Sequence, residues 1–184
     1  DILAAQSNYS TRSDYTQAAA YAIAEKVDND IAKVMTASFT GYGAYGTALN
    51  DNLILTVNRY LSENKAPRTD RSIVVHPKGE AELLAIDKFV RYDALGTGEA
   101  IKNGKLGTIY GSTVYMSQNL VYLDTATDEY SSLFFHKEAA AIAMQVSPRT
   151  QAQYKQEHLG WLVTVDVLYG VTTLRTGFGF TLKH

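Results

Sequence analysis

DYTQAAAYAIAEKVDNDIAKVMTASF, residues Asp14 to Phe39, is the stretch on which the reading of this chain turns. Apolar residues recur at Ala19, Ile23, Val27, Ile31 and Val34 or Met35. Steps of three and four place them along one face of a helix. Glu25, Lys26, Asp28, Asp30 and Lys33 fall mostly off that stripe. Ser13 and Asp14 each carry a short side-chain oxygen that can take an orphan N–H of the first turn, so either is a candidate N-cap. No Gly or Pro interrupts the stretch, and Gly41 can close it in the left-handed conformation. The expected helix is about 25 residues and about 37 Å long, at roughly 1.5 Å per residue. A helix of that length is a strut for other elements to lie across.

Outward from the strut, Ile2–Gln6 reads as one helical turn of a lead-in segment. Downstream, GYGAYG (Gly41 to Gly46) reads as a flexible connection to a second helix over Asn50–Leu61. Asn50 or Asp51 caps that helix, with Leu53, Val57, Tyr60 and Leu61 on one face, and Asn64 to Pro67 ends it. RSIVVH (Arg71 to His76) is β-branched and reads as a strand, after which Pro77 opens a helix through Ile86. Residues 87–108 hold four glycines and little periodicity, as in an extended loop or tongue, with Asn103-Gly104 as a two-residue hairpin turn or the end of a short helical turn. Ile109–Ser117 alternates and reads as a strand, Leu133–His136 as another, and Glu138–Met144 as a short alanine-rich helix. From Leu159 onward the pattern is strands, broken at Gly170 and Gly177, expected to pair with one another and to lie on the long helix. The sum is an α+β chain.

Composition narrows the function. With 184 residues, 46% hydrophobic and 20% charged, the chain can build one good-sized core or two small ones. It has no cysteine, which excludes a disulfide framework and thiolate metal sites. A net charge of −2 without a Lys/Arg run disfavours tight nucleic-acid binding, which draws its affinity from phosphate neutralisation. No apolar run approaches the roughly 20 residues that span a bilayer. The 13 tyrosines suit surfaces buried between subunits, and equally suit half-buried strands.

The search for chemistry comes back empty. GYGAYG fits the dinucleotide-binding pattern G-x-G-x-x-G, but that mechanism needs a strand before the loop and a helix directly after it, and here a helix precedes. His76, His136, His158 and His184 lack metal-ligand spacing; His76 and His136 read as capping or packing residues. No G-x-S-x-G elbow occurs, and nothing selects a triad or an acid/base pair. No catalytic, cofactor-binding or metal-binding residue is assigned, no cofactor is expected, and the chain is not read as an enzyme. A nucleotide-binding enzyme built on GYGAYG is the contrasting hypothesis, tested by calorimetry with NAD or ATP.

The order of the pieces resembles tailed-phage major capsid proteins with the HK97-like fold, leaning toward the T7-like podovirus branch. Asn64 to Leu120 is similar to the axial-domain region. It holds Ala66-Pro67-Arg68 and Arg71, IVV with His76-Pro77, Asp87-Lys88-Phe89-Val90, Asn103-Gly104-Lys105-Leu106-Gly107-Thr108-Ile109-Tyr110-Gly111, Val114-Tyr115-Met116-Ser117 and Asn119-Leu120. Phe135-His136-Lys137-Glu138-Ala139 with AIAMQ resembles the helix entry near the end of that domain, and Tyr169-Gly170 with VTTLR resembles the returning strand. Asp1 to Met35, with Arg12 and Asp28, resembles the peripheral domain's lead-in and spine helix.

The resemblance implies an HK97-like capsid fold: a spine helix with peripheral-domain strands, plus an axial domain of mixed sheet and short helices. It implies residues 1–46 as peripheral domain with spine helix, 47–150 as axial domain and 151–184 as strands returning to the peripheral domain. The family's N-terminal arm and E-loop are expected to be absent from this chain, and crosslinking through an E-loop Lys is not carried over. The implied function is structural: a virion subunit that self-assembles into hexamers and pentamers of an icosahedral bacteriophage head around double-stranded DNA, by way of a procapsid that matures. The implied partners are further copies of itself, scaffolding and portal proteins and a decoration protein, with packaged DNA met only by non-specific proximity and no membrane. Assembly is expected in the host bacterial cytoplasm. Residues 87–108 and 121–130 are expected to be rich in subunit contacts. An encapsulin-like nanocompartment shell subunit is the alternative.

Overall fold

The computed structural model describes residues 9–86, 105–120, 122–124 and 129–184. The expected helical turn at Ile2–Gln6, the Asn103-Gly104 turn and most of the 87–108 tongue lie outside the described residues. The chain groups into two units, one of residues 1–28 with 142–171 and one of residues 29–141 with 172–184.

The long helix is present as α1, Tyr9–Ser38, 30 residues against about 25 expected. It runs through Ser13 and Asp14, which are therefore not its caps. These residues cost little inside a helix, and nothing in STRSD stops one. Ala19, Ile23, Val27 and Ile31 are half-buried, while their helical neighbours outside this stripe are mostly exposed. The stripe deepens toward the C-terminus, where Ala32 and Met35 are buried.

In the second unit, β1 (Thr40–Gly43) follows α1 directly. GYGAYG is thus partly a strand and not a free connection between helices. β1 runs parallel to the last strand, β9 (Gly179–Lys183), with Thr40 beside Phe180 and Gly43 beside Lys183. The glycines permit this pairing: Gly43 has φ +92°, and a Cβ there would stand 2.5 Å from the Lys183 carbonyl oxygen. α2 (Asp51–Glu63) is capped by Asn50, whose side chain accepts the Leu53 N–H at 2.9 Å. Its end lacks a glycine; Lys65 takes φ +63° and the Ala66 N–H returns to the Leu61 carbonyl at 3.0 Å. β2 (Arg71–Val75) leads into α3 (Pro77–Leu84), with Pro77 in the first turn as its fixed φ favours.

β3 (Lys105–Ile109) and β4 (Ser112–Met116) form a hairpin. The single strand expected over Ile109–Ser117 is interrupted by a tight turn in which Tyr110 has φ +51° and Gly111 φ +79°. Tyr110 holds this left-handed conformation while its hydroxyl donates to Asp51 at the start of α2. That bond, with burial and the Asp51 charge, pushes the phenol pKa up to about 12. β5 (Tyr122–Asp124) pairs with β6 (Glu129–His136).

The remaining strands of the large sheet run in the order β1, β9, β6, β2, β4, β3, mixed parallel and antiparallel. Successive residues of a strand face opposite sides, so a buried strand serves two cores. On one face Phe134, Ile73, Val75, Val114, Phe180 and Leu182 pack against Ile54, Val57 and Leu61 of α2 and Leu83 of α3. On the other, Leu133 packs with Ala32 and Met35 of α1, Phe39, Leu120 and Ala139, with Val74 and Phe135 at its margin. Tyr42, Tyr60 and Phe180 form an aromatic cluster joining β1, α2 and β9, with Tyr42 stacked on Tyr60 at 4.8 Å.

The alanine-rich segment expected as a helix over Glu138–Met144 is a short 3-10 turn, Lys137–Ala139, followed by β7 (Ala140–Lys155). β7 pairs with β8 (Gly160–Thr173) in a two-stranded ribbon. Pairing with a β-branched strand overrides the helical preference of the alanines. The expected self-pairing of the chain after Leu159 is likewise corrected. β8 pairs with the preceding strand, and Gly179–Lys183 enters the large sheet between β1 and β6.

Arg71 ties α2 to the start of β2. Its Nε donates to the Pro67 carbonyl at 2.8 Å and Nη2 to the Ala66 carbonyl at 2.7 Å and Ser62 Oγ at 3.2 Å, while Nη1 donates to the Asn58 side chain. Burial, then the nearby Arg68, pulls its pKa below the ordinary value, yet a guanidinium stays charged throughout. Replacing Arg71 with Met strips these carbonyls of their donor and is expected to cost about 2–4 kcal/mol, read as a drop in the urea midpoint. At Gly179 a Cβ would stand 2.3 Å from Phe39 ring carbons. Gly179→Ala should lose about 1–3 kcal/mol by overpacking; an unchanged midpoint would contradict that packing.

Candidate functional site

Three places in the chain carry features beyond ordinary packing. The first is the histidine set. His76 caps α3, its Nδ1 accepting the Lys78 N–H at 3.4 Å, and its ring stacks on Tyr130 at 3.9 Å. Burial, then Lys78, holds the His76 imidazole below its ordinary pKa. His136 caps the turn at Lys137–Ala139, accepting the Glu138 N–H at 3.2 Å. Both are the capping residues that their positions before Pro77 and KEA suggest. His158 is exposed, and no group of three metal-binding side chains occurs among the described residues.

His184 is different. It is fully buried, with Nε2 2.8 Å from Ser132 Oγ and Nδ1 3.0 Å from Glu82 Oε2. Glu82 Oε2 also accepts the Leu49 N–H at 2.7 Å. Ser, His and Glu in this sequence of contacts match the connectivity of a hydrolytic triad. Ser132 is itself fully buried, so its oxygen meets no substrate, and the trio serves as a packed polar network. The sequence offers no spacing by which to find it: Glu82, Ser132 and His184 sit on three elements joined only by the fold.

GYGAYG does not form a phosphate cradle. It leaves α1, enters β1 and reaches α2 only through Asn50, so no helix begins on its glycines.

The third place is the ribbon of β7 and β8 in the first unit. Ile142, Met144, Tyr154, Leu162 and Leu168 are exposed on it, Leu159 is 79% exposed and Trp161 62%. Leu159 adopts φ +46° at the turn between the strands, and Trp161 meets Tyr154 edge-on at 5.6 Å. Arg149 and Asp166 bridge the two strands at 2.8 Å. On α1, Tyr15 and Tyr21 are exposed as well. Large apolar side chains gathered in water mark surfaces that a partner covers. Of the segments expected to be interface-rich, residues 87–104, 121 and 125–128 lie outside the described residues, and Lys105–Ile109 is an edge strand of the large sheet.

The fold resembles solved phage structures. A chain of Mycobacterium phage Che8 superposes with a TM-score of 0.76 at 25% identity, over 91% of this chain and 61% of that one. The capsid structure of cyanophage P-SCSP1u matches with a TM-score of 0.73 at 18% identity, over 99% of this chain and 68% of its own. The head structure of Helicobacter pylori bacteriophage KHP40 matches at 0.67 and 14% identity, over 93% and 68%. Comparison with curated proteins finds no match. The chain thus spans about three fifths of the length of the Che8 chain, and its helix and mixed sheet have the HK97-like arrangement of these heads. A phage capsid protein family description matches residues 4–177. Matched over nearly its whole length, this chain belongs to the phage capsid protein family.

Proposed function

We propose that the chain is the shell-forming part of a major capsid protein, assembling with copies of itself into hexamers and pentamers of an icosahedral head that encloses double-stranded DNA. The family match over residues 4–177 carries this reading. The unit of residues 29–141 and 172–184 serves as axial domain, and the unit of residues 1–28 and 142–171 as peripheral domain. Rings of this kind are built from heterologous contacts, in which different patches of one subunit meet around an axis. The exposed apolar side chains of the ribbon and the tyrosines of α1 supply such patches. The role is structural rather than enzymatic, consistent with a triad-like network closed to substrate. Scaffolding, portal and decoration proteins are the further partners, and host cytoplasm is the place of assembly. The net charge of −2 fits a shell that encloses DNA without attracting it.

A virus-like particle from Pyrococcus furiosus shares the fold at a TM-score of 0.55 and 12% identity. It keeps a cargo-holding compartment as the second reading, less supported than the phage one. Electron microscopy of the full-length gene product, expressed alone and with its neighbouring genes, separates the two: closed shells holding DNA support a phage head, and shells holding protein support a compartment. A small oligomer that never closes would overturn both.

The ribbon gives a sharper test. Leu159→Asp with Leu168→Asp places charge on two exposed positions, and Asp tolerates the left-handed backbone at Leu159. The variant should keep the circular dichroism of the wild type and its urea midpoint within about 0.5 kcal/mol, while closed shells are lost. Normal shells from this variant would remove the ribbon from the assembly contacts.

A further inference from the structure

We propose that His184, wedged between Ser132 and Glu82, is a proton-sensitive latch: uncharged, it fastens α3 and the entry to α2 onto the end of β6, and taking up a proton loosens that attachment. The inference concerns the interior of one subunit and does not depend on the assembly reading.

The backbone of His184 is held firmly. It exchanges two hydrogen bonds with Tyr130, at 3.0 and 3.2 Å, extending the β6–β9 pairing by one step. The ring then fills the space between β6 and α3. Gly79 permits the close approach, since a Cβ there would stand 3.0 Å from the ring's Cε1. Ser132 Oγ meets Nε2, and Glu82 stands at Nδ1 while holding the Leu49 N–H that leads into α2. One side chain therefore touches both strand and helix, and through Glu82 reaches the start of α2.

The ring's surroundings suit a neutral imidazole. Nδ1 is buried and 3.0 Å from Glu82 Oε2, yet out of hydrogen-bonding alignment with it. Lys78 on α3 and His76 just before it repel added positive charge, while Glu82 attracts it; Tyr130 and Ser132 of β6 face the site without charge of their own at neutral pH. Burial is the largest influence and opposes the charged form, so the imidazole is held below its ordinary 6.5. Opening the site restores an ordinary imidazole that takes up its proton more readily. Between the two values the open form binds more protons, so closure is fully stable above about pH 6.5 and weakens as pH falls below it.

Hydrogen exchange on the full-length protein, in the assembly it forms, tests the latch. Protection of peptides covering residues 49–55 and 76–86 is compared at about pH 7.5 and about pH 5.5, after correction for intrinsic exchange. In the wild type it should fall by up to about tenfold relative to the β2 peptide, the limit for one proton over one pH unit below 6.5. His184→Gln, which keeps a polar group toward Ser132 but cannot titrate, should lose most of that drop. His76→Gln should keep most of it. Glu82→Gln removes the attracting charge and should deepen it. Equal wild-type protection at both pH values would overturn the proposal. So would a full drop surviving in His184→Gln, or a drop abolished by His76→Gln alone. If His184→Gln does not fold, the wild-type and Glu82→Gln profiles still decide: the wild type must drop and Glu82→Gln must drop further.

Discussion

The double-sided burial of β6 is the constraint on which the larger unit depends. Leu133, Phe134 and Phe135 are consecutive, and a strand must send them to alternate faces. Phe134 enters the core under α2, while Leu133 enters the core under the end of α1. β2 repeats the arrangement one strand away, with Ile73 and Val75 on one face and Val74 on the other. A one-residue slip of β6 would exchange the two sets, putting Phe134 into a space shaped for Leu133. The parallel β1–β9 pair, the helix packing and the seating of β9 beside β6 all presuppose that register.

Much of this was legible in the sequence wherever a local rule met no competition. The stripe on α1, the Asn50 cap, Pro77 at the head of α3 and the β-branched RSIVV strand all act within one turn or one strand. Failures came where a distant partner decided. KEAAAIAM has helical propensity, and only the later GWLVTVDVLYGVTT makes it a strand. GYGAYG lacks every mark of a strand, since glycine neither packs nor stiffens a chain, and it pairs because β9 brings an open edge beside it. Tyr110 at positive φ is the same lesson in a turn: its bond to Asp51, 59 positions away in sequence, holds a conformation that tyrosine disfavours locally. The polar networks were illegible for a related reason. Arg71 gathers carbonyls, which every residue has, and His184 finds Ser132 and Glu82 only after two strands and a helix are in place.

Those two networks do different work in one core. Arg71 is satisfied by a ring of acceptors and stays charged at any pH a protein meets, so it fixes geometry without responding to conditions. His184 has one good partner and one misaligned partner in a dry setting, and burial holds its imidazole below the ordinary pKa. Buried polar groups that are fully satisfied confer rigidity, whereas a partly satisfied one remains costly in a dry core.

The ribbon stands at the opposite extreme from β6. Its strands of 16 and 14 residues pair with each other and carry mostly exposed side chains, with one well-aligned Arg149–Asp166 bridge between them. A two-stranded ribbon is marginal in water when it stands alone, because half of its hydrogen-bonding edge remains unpaired. An exposed salt bridge adds under about 1 kcal/mol and does not change that balance. Leu159, Trp161 and Leu168 stay in water at a cost that one subunit does not recover by itself. In a shell built as proposed, neighbouring copies recover it: surface left uncovered within the subunit becomes the free energy that holds subunits together. In that reading the chain divides its apolar residues by destination, β6 and β2 for the fold of the subunit, and the exposed Leu159, Trp161 and Leu168 of the ribbon for its neighbours.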